Sequence, residues 1–267
     1  LGLSIFARVQ HRLGNEDFPF PEDGYHGEYI HEIAENIVRD HRAEITALNE
    51  DDARAFCRKQ GEQWCFASIK KTLEALNIHH DEYFNEDSLY GDGKVTATIE
   101  DLRAKGLVYE KDGAQWFALT QLGQAQDKVI VKSTGEPTYR LPDIAYHRDK
   151  LQRGFDTVVD IFGADHIATI PDVLAGVRAL GFDTERVIVV IHQMVTFVEG
   201  GEIVKFSKRS GKSFTLDELI DEVGADVVRF FFVMRAVGTH LEFDLGLAKE
   251  EGDKNPVFYL QYAHARI

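Results

Sequence analysis

Residues 157–191 read TVVDIFGADHIATIPDVLAGVRALGFDTERVIVVI, and this stretch decides the fold. The apolar run at 157–162 predicts a strand, the segment at 171–180 has the spacing of a helix, and a second apolar run at 187–191 predicts another strand. Apolar strands that alternate with helices are typical of a parallel sheet covered on both faces. Because ligands of such sheets bind at the carboxyl ends of the strands, residues just after these two strands are the first candidates for a site.

The chain before this stretch predicts helices followed by a small sheet. Apolar residues recur at helical spacing in four segments, at 3–9, 27–48, 51–76 and 95–105. Residues 77–92 are rich in Asp, Glu and Asn and are expected to form a polar loop. Three short β-branched or aromatic runs, separated by turns that contain glycine, predict the strands of a small sheet at 107–109, 115–119 and 129–131.

Composition limits the class of protein. The 267 residues are 44% hydrophobic and 28% charged, which is typical of a globular chain of about two domains and not of a disordered one. The net charge of −15 opposes general adhesion to nucleic acids or anionic lipids, so a polyanionic partner must meet a local basic patch. Cys57 and Cys65 cannot form a four-thiolate zinc site, and a reducing cytoplasm fits them. No apolar run approaches the roughly 20 residues that span a bilayer.

A basic segment interrupts this acidic chain. Residues 204–212 read VKFSKRSGK and place four cations and two hydroxyls in a loop next to glycines. It is not a P-loop, because Phe206 stands where that motif requires its first glycine. Composition alone leaves a phosphate-binding loop and a solvated turn open. Its position after the strand at 187–191 and after the Gly200-Gly201 turn favours the ligand edge of the sheet.

This loop resembles the KMSKS signature of class I aminoacyl-tRNA synthetases, written here as Lys205-Phe206-Ser207-Lys208-Arg209. Four further segments are similar to arginyl-tRNA synthetases in particular: PEDGYHGEYI at 21–30, TYRLPDIAYH at 138–147, GADH at 163–166 and NPVFYLQYAHARI at 255–267. All five occur in the family's order, so the resemblance spans nearly the whole chain. Two features of the family have no counterpart in these 267 residues: its HIGH-type motif, which helps hold ATP, and the bulk of its helical anticodon-binding domain.

The resemblance implies a fold class and domain boundaries. We expect an α/β protein that contains the second half of a Rossmann-like parallel nucleotide-binding fold, with a helical plus small-sheet insertion. The expected insertion is 1–136, the second half of the catalytic domain with the KMSKS-like loop is 137–246, and the anticodon-binding domain begins at 247–267. Because the HIGH-type motif is missing, we expect a fragment that is inactive or nearly so by itself.

The activity implied is that of an arginine–tRNA ligase, which activates arginine with ATP and transfers it to tRNA(Arg) in the cytoplasm. The implied cofactors are ATP and Mg²⁺, and the expected state is a monomer with no membrane partner. Negative charge builds on the phosphates during activation, and fixed cations stabilise that charge. Lys205 and Lys208 are therefore the expected catalytic residues, with Lys208 matching the second KMSKS lysine, and Ser207 is expected to bind ATP. Neither Phe206 nor Arg209, which depart from the motif, removes a lysine.

A guanidinium substrate pairs best with a carboxylate, because a planar fork of donors matches two oxygens. The resemblance implies that Tyr139 and Asp143 contact the substrate arginine. Pro142 suits the first position of a helix over 142–152, which puts Asp143 in its first turn. From the residues alone, a helix cap is the favoured role for Asp143.

Polar residues also follow the two strands. After 157–162 come Gly163 and Asp165, expected to bind ATP, and His166, expected to bind the substrate; a plain polar turn is the alternative. Met194, after the second strand, is expected in the adenine pocket or in the core. No metal ligand is assigned, and His147 has no assigned role. Two other functions stay open: a non-catalytic module that binds tRNA or arginine, and a related nucleotidyltransferase with another acceptor.

Overall fold

The computed structural model describes residues 1–204 and 215–267, which fold as two compact units. The first unit contains residues 1–80, 196–234 and 242–267, and the second contains residues 81–195 and 235–241. Each unit contains segments that are separated in the sequence, because the units are defined by which residues pack together in space. The boundaries expected near 136 and 246 follow the family's chain order and stay a prediction.

The first unit begins with three helices. They are α1 (Gly2–Arg12), α2 (Glu28–Ala47) and α3 (Glu50–Ala75), as the apolar spacing predicts. Asn49 caps α3 through a hydrogen bond from the Asp52 amide to its side-chain oxygen, 3.0 Å long. Their apolar faces pack into one core, whose buried members include Ile5, Phe6, Val9, Ile30, Ile33, Ile37, Ile45 and Cys57.

The second unit opens with small helices and an antiparallel sheet. A short helix α4 (Asp87–Gly91) interrupts the segment 77–92, so the prediction of a continuous loop there is wrong. Leu89 is fully buried, and burial of this single side chain anchors the helical turn within a polar segment. Helix α5 (Lys94–Ala104) follows, and then the strands β1 (Val108–Lys111), β2 (Ala114–Phe117) and β3 (Lys128–Val131) pair in the order β1-β2-β3. A 3-10 turn at Leu119–Leu122 links the last two strands.

The alternating part of the second unit confirms the predicted strand–helix–strand pattern. Its elements are α6 (Arg140–Gln152), β4 (Val158–Gly163), a 3-10 turn (Ala164–His166), α7 (Ile170–Ala179), a 3-10 turn (Thr184–Arg186) and β5 (Val187–His192). Strands β4 and β5 pair in parallel, from Val158 opposite Val187 to Gly163 opposite His192. Helices α6 and α7 share a core with β4 and the small sheet, through buried residues that include Phe117, Ile130, Leu141, Ile144, Val158, Val173 and Val177.

Helix α6 begins two residues before the predicted start at Pro142. Its first residue, Arg140, donates a 2.9 Å hydrogen bond from Nε to the buried Asp172 of α7, which holds this end of α6 against α7. Pro142 is then the third helical residue, a position where the missing N–H costs nothing because the first four amides lack partners within the helix.

The parallel strands are covered on one face among the described residues. Val158 and Asp160 of β4 are buried, whereas Val159 and Ile161 point to the opposite face, with Ile161 71% exposed. Ile188 of β5 is also exposed. The prediction that both faces are covered is therefore wrong for the part of the chain that the structure describes.

The chain after β5 was not resolved into elements by the sequence patterns. Strands β6 (Val195–Glu199), β7 (Glu202–Ile203) and β8 (Leu241–Asp244) form a sheet in the order β7-β6-β8. The helices are α8 (Leu216–Val223), α9 (Ala225–Val233), α10 (Leu245–Lys249) and α11 (Pro256–Ala265). None of the described helices is long and apolar enough to cross a membrane.

Candidate functional site

A cleft lies in the second unit at the carboxyl end of β4, where the strand order predicts a ligand site. Helix α6, the end of β4, the turn after it and the start of α7 supply its lining residues: Asp143, His147, Phe162, His166, Thr169, Ile170, Val173 and Leu174. Its enclosed volume is about 10 Å³, which is room for about one water molecule. A larger ligand group has to lie across the open mouth or displace one of the walls.

Asp143 is the acidic group of this cleft, and it is not a helix cap. The cap position of α6 is Tyr139, no side chain caps this end, and the Asp143 amide donates to the Tyr139 carbonyl at 3.1 Å. Across residues 1–204 and 215–267, no hydrogen bond or ion pair is found for the Asp143 carboxylate. Burial raises its pKa above the ordinary value, although nearby His147, His166 and Lys150 oppose the rise. Within the described residues, Asp143 is thus a partly desolvated acid that no side chain pairs with directly.

A buried charged cluster lies behind Asp143. The His147 ring places Nδ1 2.7 Å from the Asp143 carbonyl oxygen and Nε2 2.7 Å from Oδ2 of Asp160. Lys150 donates from its ammonium to the other carboxylate oxygen of Asp160. Burial alone raises the pKa of Asp160, but the hydrogen bonds from His147 and Lys150 outweigh it and hold that pKa below its ordinary value.

The segment after β4 forms the opposite wall. The His166 ring stacks on Phe162 with 5.7 Å between ring centroids, and its Nε2 lies 3.8 Å from the Asp165 carboxylate. Gly163 has extended backbone, with φ of −69°, so its conformation does not require glycine. A Cβ at Gly163 lies 2.5 Å from Oδ1 of Asp165, so glycine leaves room for that carboxylate to lie over the backbone.

The structure brings together only some of the predicted site residues. Asp143 and His166 line the same cleft, with Gly163 and Asp165 in the turn beside it. Tyr139 and Met194 do not line the cleft and are 85% and 60% exposed, so the core alternative for Met194 is wrong. The predicted loop residues lie outside the described residues; they are Lys205, Ser207 and Lys208.

Three residues of the site were missed by sequence reasoning: His147, Asp160 and Lys150. His147 stands four residues after Asp143, and residues at this spacing share one face of a helix. Asp160 interrupts an otherwise apolar strand at an inward position, two residues after Val158 and two before Phe162. A carboxylate at a buried position needs a hydrogen-bonding or charged partner. The sequence pattern therefore indicated that Asp160 has a partner, but it did not identify His147 or Lys150 as that partner.

Two other kinds of chemistry find no support among the described residues. Within 1–204 and 215–267, no three His, Cys, Asp or Glu side chains converge to hold a metal ion. Burial raises the pKa of the Cys57 thiol to about 12, so this thiol stays protonated at neutral pH and is a poor nucleophile.

Comparisons with known proteins agree on one family. Residues 25–229 match the family described as tRNA synthetases class I (R), catalytic domain. An arginine–tRNA ligase of Desulfotalea psychrophila is 54% identical over the whole chain, which covers 48% of that relative. One from Salinibacter ruber is 55% identical over 93% of the chain and 44% of the relative. The chain thus spans about half the length of the curated relatives it matches.

Solved structures agree with this family. A structure described as an arginyl-tRNA synthetase from Campylobacter jejuni has a TM-score of 0.86 and 35% identity, over 99% of this chain and 57% of its own. Arginyl-tRNA synthetase from Thermus thermophilus has a TM-score of 0.65 at 17% identity, over 98% of this chain and 54% of its own. At that identity the second likeness supports the fold alone.

Proposed function

The chain belongs to the class I arginyl-tRNA synthetase family, and on that premise we propose that it is part of an arginine–tRNA ligase. In the proposed reaction, arginine attacks the α-phosphate of ATP with release of pyrophosphate, and the arginyl group then passes to the terminal ribose of tRNA(Arg). We place this reaction in the cytoplasm and propose that the chain is a monomer.

The observation that carries the proposal is the Asp143 carboxylate. It is partly desolvated, it faces a cleft at the carboxyl end of β4, and within the described residues no side chain forms a hydrogen bond or an ion pair with it. A guanidinium group supplies a directly paired positive charge and two parallel N–H donors. Arginine binding therefore removes the cost of the buried acid.

The walls of the cleft must adjust for this ligand, since the enclosed space holds about one water molecule. His166 is the wall that moves in this proposal, because its side chain is exposed and is held by one ring stack and one 3.8 Å contact with Asp165. Tyr139 lies exposed at the beginning of α6, from where it covers the bound arginine.

ATP binding is proposed at the same edge of the sheet. Gly163 ends β4, Asp165 follows it and Met194 follows β5, so they border the site where class I enzymes of this type hold the nucleotide. Lys205 and Lys208 are proposed to stabilise the charge on the phosphates, with Ser207 as a further contact. Because the described residues contain no acidic cluster for a metal, Mg²⁺ is proposed to arrive bound to the phosphates of ATP.

Calorimetric titration with arginine and with citrulline tests the proposal. Citrulline has the same shape but a neutral end group, so the chain should bind arginine at least about tenfold more tightly, as expected for a charge-assisted pair in a partly buried site. Equal affinity for the two ligands would count against an arginine site at Asp143. Arginine binding without arginine-dependent exchange of pyrophosphate into ATP, even when a segment with the HIGH-type motif is supplied, would favour a non-catalytic binding module.

A further inference from the structure

The two walls of the Asp143 cleft come from different elements. Asp143 lies on α6, whereas Phe162 and His166 lie at the end of β4 and in the turn after it. His147 of α6 lines the cleft, and its hydrogen bond to Asp160 of β4 joins these two elements. Both residues are buried, at 5% and 7% exposure, so this link is protected from water. A buried polar contact therefore joins the two elements that carry the walls, in addition to the apolar core that they share.

The hydrogen-bond geometry defines where the protons are. A backbone carbonyl can only accept, so Nδ1 of His147 donates to the Asp143 carbonyl at 2.7 Å. Nε2 lies 2.7 Å from the Asp160 carboxylate and 3.4 Å from the Lys150 ammonium, and the shorter contact decides its role. Because the pKa of Asp160 is lowered, its carboxylate is ionised, so the oxygen facing Nε2 can only accept and Nε2 donates to it. Both ring nitrogens of His147 then carry protons.

We propose that His147, held in its charged form by Asp160, is a positioning residue for the arginine site, which fixes the distance between its two walls and places a positive charge behind Asp143. This inference rests on the proposed function and adds a residue to it. Lys150 on α6 and Asp160 on β4 contact His147, and the charged groups that act on Asp143 are His147, Lys150, Asp160 and His166 in the turn after β4. Asp160 is shared between two cations, so the cluster keeps a net charge of +1. That charge favours the ionised form of Asp143, which the guanidinium requires.

The protonation state can be measured on the unmodified chain without any ligand. Nitrogen-15 NMR of the 11 histidines at pH 7 should show both nitrogens of the His147 ring protonated. A neutral ring with one protonated nitrogen would overturn the proposal. In Asp160→Asn, the amide can donate to Nε2, so the His147 ring should become neutral; a ring that stays doubly protonated would show that Asp160 does not hold it.

His147→Gln tests the effect on the site. Glutamine can still donate to Asp160 but carries no charge, so the pKa of Asp143, followed by carbon-13 NMR of its carboxyl, should rise further. Arginine affinity should fall about tenfold, the size expected when a group that orients a binding residue is lost. His79→Gln is the matched control, because His79 is exposed and bonds to Asn77 outside the cleft. A purely structural role for His147 predicts a lower melting temperature with an unchanged Asp143 pKa.

The two proposals fail in different ways. If the unmodified chain does not discriminate arginine from citrulline, the proposed function fails, while the NMR results still decide the charge and position of His147. If arginine binds but His147→Gln leaves both its affinity and the Asp143 pKa unchanged, the positioning role is wrong and the arginine site stands. Should His147→Gln not fold, the measurements on the unmodified chain and on Asp160→Asn decide the matter.

Discussion

Asp143 and Asp160 lie in the same small region, but their pKa values are shifted in opposite directions. Asp160 is satisfied by His147 and Lys150, and its pKa is lowered despite burial. Asp143 has no such partner within the described residues, and burial raises its pKa. The satisfied acid is suited to a structural role, whereas the unsatisfied one is suited to bind a cation from outside.

Asp143→Asn should weaken arginine binding far more than ATP binding. The change keeps the shape of the side chain but leaves a partly buried guanidinium without its counter-charge, at a cost of about 2 to 5 kcal/mol. Calorimetric titration of both ligands, with melting curves to confirm that the variant folds, checks this. Equal arginine affinity in the two proteins would contradict the assignment and leave arginine recognition to other residues.

The same substitution should stabilise the fold at neutral pH. A folded-state pKa raised above the ordinary 3.8 means that Asp143 opposes folding when it is ionised, and this penalty disappears as the pH falls through the raised pKa. Urea unfolding of the Asn variant should therefore give a larger free energy of unfolding than the wild type at pH 7, with the difference shrinking in acid. A less stable variant at pH 7 would mean that Asp143 has a stabilising partner.

Asp160→Asn should have the opposite effect on stability. Its pKa is lowered in the fold, so Asp160 contributes stability above its ordinary pKa of 3.8, and this contribution is lost as the pH falls through the lower folded-state pKa. The variant should be less stable than the wild type at pH 7 and should approach it only in strong acid. Parallel unfolding curves with the same offset at every pH would refute this linkage.

At the scale of elements, α6 and α7 approach closely at Gly176. A Cβ at this position would lie 2.6 Å from Cδ1 of Ile144 on α6 and 3.1 Å from Cζ of Phe117 on β2. Such contacts are too short, so a larger residue has to displace the fully buried Ile144 side chain and disturb the packing of α6. Because α6 carries Asp143 and His147, the geometry of the site depends on this packing.

Gly176→Ala should destabilise the protein by about 1 to 3 kcal/mol, the usual cost of overpacking a core, and should weaken arginine binding through displacement of α6. Gly91→Ala is the control, because Gly91 lies in α4 with nothing within 4 Å of an added Cβ. The control should leave arginine binding unchanged and alter stability by no more than about 1 kcal/mol. Thermal unfolding and arginine titration of both variants provide the check; a neutral Gly176→Ala would show that α6 yields without cost.

At the scale of the whole molecule, one face of the parallel strands β4 and β5 is not covered by any described residue. One face of β4 and β5 is exposed and apolar, at Val159, Ile161 and Ile188. Parallel sheets are normally buried on both faces. The relatives are about twice as long as this chain, and the HIGH-type motif has no counterpart in its 267 residues.

The 267-residue chain alone should therefore not catalyse arginine-dependent exchange of pyrophosphate into ATP to an appreciable extent. A catalytic domain that also supplies the HIGH-type motif and covers the exposed face should restore exchange, because ATP then meets its missing contacts. The measurement is incorporation of labelled pyrophosphate into ATP, with tRNA supplied in both cases. Robust exchange by the chain alone would mean that other residues replace those contacts.

The sequence by itself determined the elements and the family. Helices α1 to α3 and α5 and the strand–helix–strand pattern from β4 to β5 appear close to their predicted bounds, because hydrophobic periodicity is a local property of the chain. The order of the motifs identified the arginyl-tRNA synthetase family, because motifs are also read directly from the sequence. The short helix α4 was not predicted, because Leu89 is its only buried residue and a single apolar residue produces no periodic pattern.

Only the tertiary structure decided what the site residues do. Local reasoning favoured a cap for Asp143, but the helix begins earlier, because Arg140 bonds to Asp172 of α7, 32 residues away. His147 and Asp160 are 13 residues apart on different elements, and their contact exists because α6 packs on β4. Burial, pairing and charge state depend on which elements meet in space. Those contacts are made between residues far apart in the chain. Local sequence patterns can therefore indicate candidate site residues, but the packing of the elements determines what each residue contacts and does.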